Sequence, residues 1–385
     1  MRVRSWLAVA AMLASSVAVA IPNPSVAAAP SGAPVPSFVD VACPGPTSCF
    51  AVGTKVSGDS STFRSLIEHW NGRTWSIVAS PNAKEGGFLF AVSCPATTSC
   101  MAVGGTGIAT GSKNRAFASR WDGAHWTIVA VPSPPRSVYA TLWSVSCASP
   151  TMCFASGEFE TDLSGPPQTF MERWNGSAWS IVKSPNLSGT SLTRSGVSCP
   201  SATVCFAVGH GDRGATVARW SGTTWTVTTL GTPSWTLTSV SCISPSSCYA
   251  VGSETVGSLA LKTLVARWNG TSWKRVPSPN RSDGYEHMLA DVTCTSLTSC
   301  LVVGRVTLTH QGPGYTYAQR WDGKAWSQMK TASPHPNNNG LSGVACATTT
   351  KCFAVGYSDS PAALALIEAW NGKSWSLAAH PEPQS

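Results

Sequence analysis

Past an apolar stretch at its start, the chain shows no hydrophobic spacing of three and four residues, so no amphipathic helix is expected anywhere along it. Short runs rich in Val, Phe, Ala and Trp recur instead, each ended by Gly, Pro, Asn or Ser. The first four fall at 37–43, 49–53, 63–70 and 75–80, and each has the length and turn-bounded form of a strand. Within 49–53 the side chains alternate, with Cys49, Ala51 and Gly53 on one side and Phe50 and Val52 on the other. Both sides are apolar or small. A strand buried on both faces belongs between stacked sheets, which favours a radial array of blades over a sandwich with one wet face.

This four-run unit repeats seven times. Its first half reads V-x-C-x5-C-x-A-V-G, as VACPGPTSCFAVG from Val41, VSCPATTSCMAVG from Val92, VSCASPTMCFASG from Val145, VSCPSATVCFAVG from Val197, VSCISPSSCYAVG from Val240, VTCTSLTSCLVVG from Val292 and VACATTTKCFAVG from Val344. Its second half is W-x-G-x-x-W, starting at Trp70, Trp121, Trp174, Trp220, Trp268, Trp321 and Trp370. Cys43 and Cys346 lie 303 residues and six intervals apart, a period near 50 that is much longer than a β-solenoid coil. Four strands per unit and seven units predict an all-β, seven-bladed β-propeller of four antiparallel strands per blade, spanning 37–381, with V-x-C strands innermost. No strand is left over, so closure must come from face packing between the first and last blades.

A hydrophobic strand ending in Gly, a variable loop and a Trp opening the last strand resemble the kelch repeat and the propeller of galactose-oxidase-like proteins. VSC, CFAVG, ARWNG and SPN resemble more closely the cysteine-paired repeat proteins secreted by high-GC Gram-positive bacteria. The resemblance covers about residues 37–380 and departs from kelch in having one Gly where kelch has two. It implies a propeller used as an interaction module, and no chemistry.

Five residues between cysteines match no common zinc spacing and exceed a C-x-x-C redox pair. The two cysteines flank one hairpin turn, which predicts the bridges Cys43–Cys49, Cys94–Cys100, Cys147–Cys153, Cys199–Cys205, Cys242–Cys248, Cys294–Cys300 and Cys346–Cys352. Chain entropy puts each at about 2.4 kcal/mol as an upper figure. The W-x-G-x-x-W element reads as a second hairpin, its Gly supplying positive φ and its two Trp facing each other across the strands. An Arg precedes the first Trp in five repeats, at Arg120, Arg173, Arg219, Arg267 and Arg320, in a packing role over a ring or between blades.

The segment MRVRSWLAVAAMLASSVAVA has the charged, apolar and small-residue order of a secretory signal peptide. It predicts a signal at 1–28, cut after Ala20 or near Ala28, then a Pro/Ser/Ala-rich linker at 29–36 and a short tail at 382–385. Losing Arg2 and Arg4 lowers the net charge from +8 to about +6, and the remaining basic residues are scattered, which argues against nucleic acid. A secreted monomer with fully paired cysteines and no membrane span is expected.

Metal and cofactor motifs are absent: the seven histidines show no H-x-H or H-E-x-x-H spacing, and no P-loop, G-x-S-x-G or dinucleotide fingerprint occurs. Tyr315, Tyr317 and His310 share one loop region, yet every cysteine that a galactose-oxidase copper site would need belongs to the repeat pattern. The W-x-G-x-x-W turn resembles the sialidase Asp-box in its Gly and last Trp, but Trp stands where the aspartate should be. Glu158, Glu160 and Asp162 form an acidic run suited to glycoside hydrolysis or calcium, or to a solvated loop.

The expected function is therefore binding of an extracellular protein or glycan, without catalysis, metal or cofactor. The alternative is a propeller-fold glycoside hydrolase or polysaccharide lyase using loop carboxylates. In a four-stranded meander the short cysteine and Trp turns share one rim, and the long irregular connections share the other, where binding usually resides. That rim carries the nonrepeating Phe88, Phe90, Tyr139, Trp143, Trp235, Tyr285, Tyr315, Tyr317 and Asn337, Asn338 and Asn339. Phe90 and Trp143, close before V-S-C, are candidates to pack inside. Tyr285 with Glu286 and His287, Tyr315 with Tyr317, and Tyr139 and Trp235 are the ligand-binding candidates.

Overall fold

A computed structural model describes residues 37–381 except 57–61, 107–113, 163–166, 185–189, 192–195, 212, 258, 333–337 and 359–363. The expected signal peptide, linker and tail lie outside the described residues. In the first sheet the strands Ser37–Gly45, Ser48–Val56, Phe63–Trp70 and Trp75–Ile77 follow one another in space as in sequence, all antiparallel. The same meander recurs in each repeat. In the fourth sheet the first strand is divided into Thr190–Ser191 and Val197–Ser201, both paired with Val204–Gly211. A single parallel pairing, Leu261 with Glu286, ties the fifth sheet to the sixth.

First strands lie side by side from one sheet to the next, and the serine of V-S-C joins them. Its hydroxyl accepts the cysteine N–H of the following repeat, as from Cys147 to Ser93 (3.0 Å), Cys199 to Ser146 (2.9 Å), Cys242 to Ser198 (3.0 Å) and Cys294 to Ser241 (3.1 Å). Strand pairing exhausts one set of backbone groups, and these side chains satisfy the N–H groups left facing a neighbour. Second strands are buried on both faces, as their alternation predicts; Phe50, Ala51 and Val52 are inaccessible to solvent. Fourth strands form the outer edge and expose Ile77, Ile128, Ile181, Val227 and Leu377.

All seven predicted bridges are present, each across its own hairpin with Cα atoms 3.9–4.1 Å apart. Each W-x-G-x-x-W pair faces across its hairpin with ring centroids 5.5–5.9 Å apart. The turn glycines take φ of 92–103°, a region closed to most residues. Turn Asn or Asp side chains accept the N–H groups two and three residues on, which holds Asp122 and Asp322 below the usual carboxylate range. The leading Trp of five repeats donates Nε1 to a carbonyl of its own cysteine turn, as Trp70 to Pro46 O (3.3 Å) and Trp321 to Leu297 O (3.1 Å). The two short turns thus share a rim, where Thr47 lies against Gly72.

Sheets join through the residue after the second cysteine, which rests on the Trp pair of the next repeat. Phe50 lies 5.1 and 5.3 Å from Trp121 and Trp126, and Phe154 5.2 and 5.3 Å from Trp220 and Trp225. Phe206 and Tyr249 do the same to the fifth and sixth pairs. Met101 and Leu301 take the equivalent places beside Trp174 and Trp179, and beside Trp370 and Trp375. Phe353 of the last sheet lies 5.1 and 4.9 Å from Trp70 and Trp75 of the first. Arg219 and Arg267 pack over Phe206 and Tyr249 of their own sheets, at 6.0 and 5.7 Å.

The glycine of C-F-A-V-G does not end its strand as the sequence suggests; in the first sheet the strand continues to Val56. It stands opposite an irregularity in the first strand, between Phe38 and Asp40, where a carbonyl presses in. A Cβ on Gly53 would lie 1.9 Å from Ser37 O, and one on Gly104 1.9 Å from Phe88 O. Close backbone approach, not turn geometry, selects glycine there.

Candidate functional site

The rim opposite the short turns is formed by the beginnings of first strands and the ends of second strands, and three of the nonrepeating aromatics, Tyr285, Tyr315 and Tyr317, belong to its sixth-sheet sector. Tyr285 is half-buried; its N–H donates to Thr307 O (2.7 Å) and its ring lies 6.2 Å from His310. Glu286 beside it is buried. One carboxylate oxygen meets His310 Nδ1 (2.8 Å) and the other accepts from Thr307 Oγ1 (3.1 Å). Gln311, at φ 55°, adds its N–H to the first oxygen at 3.4 Å.

His287 points the other way and is fully buried. Its Nε2 accepts the Arg281 N–H (2.9 Å) while Nδ1 meets Leu261 O (3.2 Å). One nitrogen accepts and the other donates, which is the neutral ring, and burial lowers its pKa in the same sense. Tyr317 is 1% exposed and donates to Pro279 O (2.8 Å), and Gln319 Nε2 donates to the same carbonyl (2.9 Å). Burial raises the Tyr317 pKa. Both residues brace the loop around Pro279 from beneath. Tyr315, two residues earlier on the same strand, is half-buried, with the Arg281 guanidinium 5.8 Å from its ring centre. Arg281 makes two bonds to Asp283 (2.8 and 2.7 Å), which holds that carboxyl below the usual range.

Tyr285, Glu286, His287, Tyr315 and Tyr317 therefore come together on one sheet, while the other two candidates stand apart. Trp235, at the start of the fifth sheet, donates Nε1 to Glu254 Oε1 (3.0 Å) under the Arg275 guanidinium, 5.2 Å from its ring. Arg275 bonds the other Glu254 oxygen at 2.6 Å. Tyr139 opens the third sheet, half-buried opposite Glu160. Phe90 and Trp143 stack on each other at 4.3 Å. Asn339 is buried, Asn338 takes φ 47°, and Asn337 lies outside the described residues.

The acidic run of the third repeat divides. Glu158 is buried within a strand, whereas Glu160 nears the surface with its pKa raised by burial and by Asp162. Among the described residues no group of three or more His, Cys, Asp and Glu is placed to hold a metal ion.

Sequence reasoning passed over the residue just before V-x-C, which reads Asp40, Ala91, Ser144, Gly196, Ser239, Asp291 and Gly343 along the repeats. The serines and aspartates among them bridge adjacent first strands. Ser144 accepts the Val197 N–H (3.0 Å), Asp40 the Val92 N–H (2.8 Å) and Asp291 the Val344 N–H (2.8 Å). Gly343 separates the two aspartates in repeat order and is so close to Asp40 that a Cβ would lie 2.8 Å from its Cα. Both carboxyls retain some accessible surface but are enclosed by protein. Enclosure, then the charge of Asp291, pushes Asp40 up to about 8, and burial also raises Asp291. Glu172, fully buried and without a hydrogen bond to either oxygen, is pushed to about 8 by burial alone. Asp in two of seven repeats at a position otherwise Ala, Ser or Gly was the available signal for the aspartates, and Glu in three of seven repeats two residues before the leading Trp was that for Glu172.

No protein-family model matches the sequence, and no characterised protein matches it by sequence. Solved structures do match in fold. YCF48 bound to a D1 peptide aligns at TM-score 0.52 and 13% identity over 83% of this chain and 88% of the other. The GH74 xyloglucanase of Xanthomonas campestris aligns at TM-score 0.59 and 12% identity over 89% of this chain, which spans 55% of the enzyme. The WD40 repeats of RRP9 align at TM-score 0.50 and 10% identity, covering 83% and 86%. At such identities the likeness is one of fold, and the fold is a repeat β-propeller.

Proposed function

We propose that this chain is a secreted, monomeric, closed seven-bladed propeller that binds an extracellular protein or glycan through its irregular rim, without catalysis. One observation carries the reading. The side chains that recur in every repeat are engaged inside the scaffold, whereas Tyr285 and Tyr315 occur once, stay half-buried on the loop rim and are held by the Glu286–His310 and Arg281–Asp283 pairs. Rigid amphipathic aromatics on a braced surface supply contact area and a hydrogen bond at small entropic cost. Tyr139 and Trp235 extend the surface along the rim, and His287 and Tyr317 support it. Seven disulfides point to an oxidising compartment. Among the described residues no helix is long and apolar enough to cross a membrane.

A glycan-cleaving enzyme is the second reading, favoured by the raised Asp40 carboxyl beside Asp291. All four of their oxygens already serve backbone or hydroxyl donors or adjoin them, as a structural bridge requires. The test is a screen of the purified protein, residues 29–385, against cell-wall fractions and glycans, scored for retention and for cleavage. Tyr285→Ala and Tyr315→Ala are expected to weaken retention about tenfold with unchanged melting temperature. Cleavage abolished by Asp40→Asn would establish the enzyme instead.

A further inference from the structure

A second surface lies on the side of the molecule, where the sixth sheet meets the seventh. A groove of about 580 Å³ is lined there by residues 327–332, at and just past the outer strand Trp326–Met329, and by Arg320, Trp370, Lys373, Ser374 and Trp375. It reaches Lys373 in the last W-x-G-x-x-W turn. Arg320, Lys330 and Lys373 line it, and no carboxylate does. Among the described residues no carboxylate is within ion-pair distance of these three.

The repeat itself gives the background against which this groove stands out. The three positions of Arg320, Lys330 and Lys373 have counterparts at every junction between successive sheets. His69, Ala79 and Ala124 occupy them at the first, Arg120, Ala130 and Ser177 at the second, and Arg173, Lys183 and Thr223 at the third. No other junction carries Lys or Arg at all three. On the outer strand Gln328 stands where five repeats have the exposed aliphatics Ile77, Ile128, Ile181, Val227 and Leu377, and the fifth repeat departs there too, with Arg275. Arg320 keeps the Arg common to five repeats, so what sets this junction apart is that Lys330 and Lys373 join it. Three cations brought to one junction point to an anionic ligand.

We propose that this groove binds a linear anionic glycan, one carrying carboxylate, sulfate or phosphate groups along its length. Three basic side chains, from the third strand, just past the outer strand and the next sheet's Trp turn, match a row of spaced anions, and Ser327, Gln328, Thr331 and Ser374 offer hydroxyl and amide partners to sugar hydroxyls. Single-stranded nucleic acid would need exposed ring faces for its bases. The indoles at the floor, Trp370 and Trp375, are only 6% and 7% exposed.

The proposal rests on the binding-module reading but fails separately from it. Purified protein is titrated by calorimetry with oligogalacturonate, a heparin-derived oligosaccharide, poly(glycerol phosphate), a neutral xyloglucan oligosaccharide and single-stranded DNA of matched charge. The variant Lys330→Glu/Lys373→Glu is compared with Arg73→Glu/Lys183→Glu, an equally exposed pair at other junctions. At least one anionic glycan should bind in preference to the neutral one and to DNA. The groove variant should raise its Kd about tenfold or more, with less than a twofold change in the control. Absence of anionic-glycan binding, equal binding of the neutral glycan or DNA, or equal loss in both variants overturns the proposal. Retention lost in Tyr285→Ala but not in the lysine pair removes the groove and keeps the binding module. Cleavage of the glycan removes the module reading.

Discussion

His380, four residues beyond the last outer strand's Ser376, reaches back 312 positions to Glu68 in the third strand of the first sheet, Nδ1 to Oε1 at 3.4 Å. Both are buried, and the ring's other nitrogen meets Ala365 O at 3.1 Å. The same third-strand position serves other junctions: Gln319 donates to Pro279 O, and Glu368 accepts the Ala332 N–H at 3.0 Å. Glu68 thus receives the segment after the last outer strand as its counterparts receive the loops between sheets. His380→Ala should lower the unfolding free energy by about 1–3 kcal/mol. In a urea-denaturation double-mutant cycle with Glu68→Gln, a coupling above about 0.5 kcal/mol is expected. Zero coupling would mean that the backbone alone holds the terminal segment.

Phe353 and Phe154 make the same contact at different junctions. Phe→Ala at either should destabilise by about 3–5 kcal/mol, with the two values similar. A markedly cheaper Phe353→Ala would show that the first and last sheets part readily in solution, against the closed ring.

Gly53→Ala forces a methyl group onto the Ser37 carbonyl and should destabilise by about 3 kcal/mol or more. Gly45→Ala is the matched control, since the nearest atom to its Cβ is Thr97 Cγ2 at an ordinary 3.5 Å. Equal melting temperatures for the two variants would refute the close-approach account.

Asp40 sets a pH dependence opposite to that of most carboxylates. Its pKa is raised from 3.8 to about 8 in the folded protein, so between those values the folded state holds a proton that the unfolded chain has released. Stability from this group is complete below about pH 4 and declines as pH rises towards 8. Asp40→Asn cannot ionise and should flatten the fall in melting temperature between pH 5 and pH 9. An unchanged slope would indicate that the carboxyl is ionised in the fold.

Repeated features were legible from the sequence because they are local. A hairpin of fixed length dictates which cysteines and which tryptophans face each other, and turn residues mark strand ends. Contacts between repeats were less so. Nothing in V-S-C says that its serine accepts a neighbour's N–H, and the C-F-A-V-G glycine reads as a strand end until the opposing carbonyl is seen. Among the site candidates, alternation puts Tyr315 and Tyr317 on one face but cannot give depth along the strand, which leaves one at the rim and buries the other. His287 likewise neighbours Tyr285 in sequence while its ring turns inward.

The step from Phe50 to Trp121 always points towards the following repeat, so every repeat carries both a plug and a socket. Head-to-tail contacts of this kind have no inherent stopping point: copies add until the geometry returns to its origin, or else without limit. An excised repeat would accordingly behave as a monomer unit for polymerisation, its Trp pair open at one face and its aromatic plug at the other. Phe353 lies against Trp70 and Trp75, and in the closed ring proposed above the terminal plug is consumed internally, leaving no growing end for another molecule.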